Sequence, residues 1–171
     1  LKKEKAEDIE AKNEKAEKFK GALDSSGKTA EAEFQFMQGK KYFFGEGASQ
    51  DYKKAFVLFS IAAEQGCAEA EYYLGDMYSE GEGTYQDDAK AKKAYKKAFG
   101  FFTKLAAQGD VNAQYYLGVM NQNKQGVSRN KEKAFEWYAK AAEQGHPKAQ
   151  SILGTMYLKG IIHKWEWTRL N

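Results

Sequence analysis

The sequence predicts an all-α protein built from tandem helix-turn-helix units, and three observations carry that reading. Gly39, Tyr42, Gly45 and Gly47 are matched 36 residues later by Gly75, Tyr78, Gly81 and Gly83, and self-similarity at such a period marks a repeat architecture. Further copies centre on Gly118 and Gly154, so the successive spacings are 36, 43 and 36 residues. Between the glycines the apolar residues fall at helical spacing, and a single Pro in 171 residues leaves the helices few breaks.

The first helix of each unit, helix A, is clearest in the second copy. Ala70, Leu74 and Tyr78 stand four apart in a narrow apolar stripe, with small Gly75 beside Leu74 where another helix can come close. The second helix, helix B, is clearest in the third copy. Ala134, Trp137, Tyr138, Ala141 and Ala142 follow the i, i+3, i+4, i+7, i+8 pattern and end at Gly145. The same frame gives Ala55, Leu58, Phe59, Ala62, Ala63 and Gly66 in the first copy, and Ala98, Phe101, Phe102, Leu105, Ala106 and Gly109 in the second. The Gly-x-Gly hinges lack the Lys-Ser/Thr of a phosphate-cradling loop, so they are turns between helices. In the third copy Asn121 replaces the Tyr and Lys124 the first Gly, which predicts an irregular turn.

The second unit carries seven extra residues. Seven residues advance a helix by about two turns and return its apolar face to within about 20° of register. Ala91, Ala94, Tyr95 and Ala98 continue the stripe. The second helix B is therefore expected as one piece from about Asp87 to Ala107, protruding past its neighbours.

Composition narrows the function. One Cys cannot close an internal disulfide, and one Cys with two His cannot assemble a zinc site, so neither metal nor cofactor is expected. A formal net charge of +3 from 27 basic and 24 acidic groups is too balanced for a nucleic-acid binder. The longest nearly apolar stretch, the nine residues from Ala55 to Ala63, is about half of a membrane span. Cys67 and His146 fill equivalent slots two units apart, about 20 Å at the packing distance of neighbouring helices, too far for a nucleophile and its base. No catalytic residue is expected, and the chain reads as a non-enzyme.

The string Ala-x-(Glu/Gln)-Tyr-x-Leu-Gly-x-x-Tyr-x-x-Gly-x-Gly, followed by Asp-(x)-Lys-Ala and then Trp-Tyr-x-x-Ala-Ala-Glu-Gln-Gly, resembles the SEL-one-like repeat, a relative of the tetratricopeptide repeat. The match covers about residues 30 to 160. The resemblance implies a right-handed α/α superhelical solenoid whose usual work is to hold other proteins together. The units are expected at 29–67, 68–110, 111–146 and, in part, 147–171, after a charged helix and linker over 1–28.

The ends fit less well. Residues 1 to 28 hold 15 charged side chains, yet Ala16, Phe19, Leu23 and Gly27 fall at helix B spacing. The segment is either a decayed half-repeat that caps the N-terminus or a solvated charged helix. After Gly160 the pattern breaks, and Trp165 and Trp167 either cover the open end of the core or form a sticky tail. Leu1 in place of Met leads us to expect a removed upstream segment. The compartment stays open, since unpaired cysteine fits the cytosol and a removed leader fits export.

Two surfaces are candidates for a partner. Met77, Met120 and Met156 share one repeat position close to the core stripe and are expected inside. The opposite side of helix A is expected to be exposed, and the resemblance implies that it lines the concave groove. It carries Phe36, Lys40 and Phe43 in the first unit and Tyr72, Asp76 and Ser79 in the second. The third and fourth units supply Tyr115, Val119 and Gln122, then Ser151 and Thr155. Phe36, Tyr72 and Tyr115 form an aromatic file, read either as docking anchors or as rings that fill gaps between A helices. The second surface is basic: Lys90, Lys92, Lys93, Lys96 and Lys97 place five cations in eight residues, either a solvated face or a lure for an acidic partner. The expected partner is a protein or peptide held by a non-catalytic adaptor. Self-association through the open repeat ends is the rival role, and a hydrolase acting on cell-wall or β-lactam substrates, as proposed for some relatives, ranks below both.

Overall fold

Side chains at the helix starts and left-handed residues at the helix ends cut residues 29–158, the part described by the computed structural model, into seven α-helices. They are α1 (Ala30–Phe44), α2 (Tyr52–Glu64), α3 (Ala68–Glu80), α4 (Asp88–Ala107), α5 (Val111–Asn123), α6 (Lys131–Glu143) and α7 (Pro147–Leu158). Asp51, Asp110 and Asn130 each accept the N–H three residues on, from Lys54, Ala113 and Lys133, at 3.0, 2.7 and 2.8 Å. Such bonds satisfy donors that a helix start leaves open. Asp87 does the same for Lys90 at 2.9 Å.

The A-to-B turn is built alike in three units. The N–H groups of Asp51, Asp87 and Asn130 reach back to the carbonyls of Tyr42, Tyr78 and Asn121 at 2.9, 2.8 and 2.9 Å. Gly45, Gly81 and Lys124 end the A helices at φ of 72°, 73° and 62°. The irregular turn expected in the third unit is therefore not found. Its geometry is that of the others, because these backbone bonds hold Lys124 in a left-handed conformation that favours glycine.

The helices fall into two compact units that divide between Ala94 and Tyr95, inside α4. In the first, α1 packs on α2 and α2 on α3, around Phe36, Phe59, Leu74 and Met77. Gly39 makes the closest approach: a Cβ there would stand 2.6 Å from the Phe59 ring. In the second, α5 packs on α6 and α6 on α7 around Tyr138, with Val119, Ile152 and Met156 against it. Gly118 repeats the approach, its notional Cβ 2.6 Å from the Tyr138 ring. Met77 and Met120 are fully buried and Met156 half-buried.

The 20-residue α4 runs unbroken from Asp88 to Ala107, against 13 residues for α2 and α6. The apolar stripe continues along the added turns, as its register predicts. Ala91 and Ala94 are 4% and 6% exposed, and Ala94 belongs to the same core cluster as Phe59 and Leu74. The added turns are thus packed on their inner face. The readings of the 1–28 segment, Trp165 and Trp167 lie outside the described residues.

Candidate partner-binding surface

Helix A was expected to turn a file of aromatic rings outward, and the structure turns two of them in. Phe36 and Tyr72 are 6% and 9% exposed. The Phe36 ring lies 5.8 Å from both Phe59 and Tyr73, so it fills the space between its own helix B and the next helix A. Tyr72 meets Tyr73 edge-on at 5.8 Å. Tyr115 is half-buried and stacks on His146 at 4.4 Å and 13°. The physical reason is that an angular count places a residue around its own helix axis but says nothing of how many neighbours surround that helix. An interior helix A has its own helix B on one side and the helices of the adjoining unit on others.

The remaining residues of that side are more accessible. Lys40 is half-buried, with its ammonium 5.6 Å from the Phe36 ring centroid. Phe43 is half-buried among Tyr52, Phe59 and Tyr73, with centroids 5.4 to 5.9 Å away, and it meets the exposed ring of Phe44 at 5.0 Å. Asp76 and Ser79 are half-buried on α3. In the third repeat Val119 packs against the core, while Gln122 accepts the hydroxyl proton of Tyr138 at 3.2 Å. Ser151 and Thr155 are exposed, and the Thr155 hydroxyl donates to the Ser151 carbonyl.

Burial pushes the Tyr138 phenol well above its ordinary range and raises Tyr115 as well. The His146 imidazole is held below its ordinary value, first by burial and then by the nearby Lys148 ammonium. Its Nδ1 accepts the Ala149 N–H at 3.2 Å and so caps α7, a bond that requires an unprotonated Nδ1. Sequence reasoning missed this cap, because His is not among the usual capping residues.

The lysines of α4 are exposed at all five positions, Lys90, Lys92, Lys93, Lys96 and Lys97. The helix has no acidic residue from Ala89 to Ala107, whereas α2 carries Glu64 and α6 carries Glu132, Glu136 and Glu143. Lys90 pairs with Asp87 at 3.6 Å and lies 5.5 Å over the Tyr78 ring. No side-chain partner stands beside Lys92, Lys93 or Lys96 among the described residues. The described residues contain no cluster of three metal-ligating side chains, and none of their helices is long and apolar enough to cross a membrane.

The Sel1 repeat model matches residues 32–67, 68–110, 111–146 and 147–164. The chain belongs to the Sel1 repeat family. Its structure is similar to that of a protective antigen of uropathogenic Escherichia coli strains with an SLR fold, at 36% identity and a TM-score of 0.50 over 75% of this chain and 26% of that one. It is also similar to a Sel1 repeat protein from Oxalobacter formigenes, at 30% identity and a TM-score of 0.52 over 75% of this chain and 50% of that one. The chain thus spans half or less of the length of these two proteins. No curated protein is a significant match to the sequence. Sel1 repeat proteins generally serve as non-catalytic scaffolds for protein–protein interaction, and the fold here is the all-α repeat fold of that family.

Proposed function

We propose that this Sel1 repeat chain is a non-catalytic adaptor that binds a protein or peptide on two surfaces. One is the accessible side of the A helices in the first compact unit, where Lys40 and Asp76 select polar groups of the partner and Phe43 supplies apolar contact. The other is the lysine face of α4. Phe36 and Tyr72 act as spacers that set the distance between helices rather than as anchors. The observation that carries this reading is the exposed, unbalanced charge of α4. A helix of six lysines and one aspartate attracts an acidic surface through several charges at once, and such attraction is strongest at low salt.

The experiment uses the immobilised chain to capture a partner, identifies that partner by mass spectrometry, and then measures its affinity as purified protein. Lys92→Gln, Lys93→Gln and Lys96→Gln together should weaken binding on the order of tenfold at low ionic strength and flatten its salt dependence. Lys40→Ala with Asp76→Ala should weaken it at every salt concentration. Unchanged affinity and slope in the lysine variant reject the α4 surface, and an unaffected Lys40/Asp76 variant rejects the helix A surface.

A further inference from the structure

Glycine inside a helix weakens it relative to alanine, so a mid-helix glycine needs a reason. Gly39 and Gly118 have theirs, since a Cβ at either would stand 2.6 Å from a buried ring. Gly100 has none within the described fold. It lies inside α4 on the side away from the buried Ala98 and Phe102, is exposed, and its notional Cβ meets nothing within 4 Å. The same repeat position, two residues after Ala55, Ala98 and Ala134, holds Val57 in α2 and Glu136 in α6, both exposed. Among the three described B helices, a surface position that elsewhere carries a side chain is bare in α4 alone.

The surroundings of Gly100 give that bare spot a chemistry. Lys96 and Lys104 stand four residues before and after it, and Lys97 and Thr103 stand three before and after. All four are exposed, and all lie in the second compact unit, which begins at Tyr95. No ion-pair partner of Lys96 or Lys104 is found among the described residues. Thr103 turns its hydroxyl back onto the Phe99 carbonyl at 2.7 Å, so that group is already satisfied. Lys96 and Lys104 are about 12 Å apart along the helix axis, close to the diameter of an α-helix with its side chains. The face is thus a saddle, with cations at either end and no side chain in the middle.

We propose that a helix of the protein partner crosses α4 at Gly100, its backbone seated on the glycine and its Asp or Glu side chains reaching Lys96 from one edge and Lys104 from the other. This rests on the lysine face of α4 as a partner surface and adds the form of what docks there. Glycine permits the close approach of a second backbone, and the paired cations match carboxylates set along both edges of the incoming helix. The exposed positions of the saddle offer no ring on which bases could stack and no apolar side chain to enter a bilayer, and the net charge of +3 lacks the surplus of a phosphate binder.

The test uses the full chain and a fluorescent, Ala-rich helical peptide of about 20 residues, roughly 30 Å long, with Glu in two rows on either side of an Ala stripe. Binding is read by anisotropy at low ionic strength. Gly100→Leu should weaken it on the order of tenfold or more, because the added side chain lifts the incoming backbone off the saddle. Gly100→Ala should weaken it less while raising Tm by about 2–4 °C, and that opposition of signs separates docking from a structural role. Lys96→Gln with Lys104→Gln should also weaken binding on the order of tenfold and flatten its salt dependence. These are surface positions, so each variant should keep its helical circular dichroism. Affinity indifferent to Gly100→Leu overturns the proposal, as does equal binding of a peptide of the same charge interrupted by Pro. A wild-type chain that ignores the helical peptide, or that prefers double-stranded DNA or anionic vesicles to it, overturns it too. If Gly100→Leu is silent and the lysine pair is not, the crossing fails and the lysine face stands; if both are silent, the face fails with it.

Discussion

Lys124 holds a left-handed backbone that the equivalent positions give to Gly45 and Gly81. A non-glycine residue there is strained, and the strain exceeds the entropy that glycine loses on folding. Lys124→Gly should therefore stabilise the chain by about 1 kcal/mol, measured as a rise in the denaturant midpoint. The helix A glycines predict opposite signs at one repeat position. Gly118→Ala should cost about 1–3 kcal/mol, because the fully buried Tyr138 ring has nowhere to move. Gly154→Ala, with nothing within 4 Å of its notional Cβ, should gain up to about 1 kcal/mol from helix propensity. His146 adds a dependence on pH. A histidine held below its ordinary value of 6.5 contributes stability that is complete above that value and is lost as pH falls toward the folded-state value. Lowering pH from about 7.5 to about 5 should reduce Tm, and His146→Asn, which keeps an α7 cap without titrating, should show a flatter profile.

Elements were the most legible part of the sequence. Gly-x-x-Tyr-x-x-Gly-x-Gly marks where helix A ends, and the Asp-(x)-Lys-Ala string after it marks where helix B begins, because left-handed ends and side-chain caps are local chemistry. The length of α4 was legible too, since a seven-residue insertion keeps a helix in register. One expectation about an element failed for lack of tertiary information. The turn at Lys124 is regular because the backbone bonds from Asn130 to Asn121 and from Gln125 to Met120 outweigh the preference of one residue. The third-unit cap offers a direct check on the local part: Asn130→Ala should destabilise by about 1 kcal/mol, read from chemical denaturation, with α6 still formed.

At the scale of the whole chain the repeat and its family could be read from sequence, and the exposure of the proposed surfaces only in part. The lysine face of α4 was visible as a run of cations without carboxylates and is exposed. The aromatic file was not legible as surface, because Phe36 and Tyr72 occupy a face that is outward on an isolated helix and covered in a stack. A comparison between units would have found the bare position of α4, where Gly100 stands in register with Val57 and Glu136. The central claim is that accessible charge, rather than those rings, makes contact with a partner. An amide-resolved NMR titration of the labelled chain with its captured partner tests it most directly. The account predicts shift changes concentrated on the Lys92, Lys93 and Lys96 side of α4 and at Lys40, Phe43, Asp76 and Ser79. Changes confined to the outer face of α2 around Val57 and Ile61, with α4 silent, would contradict it.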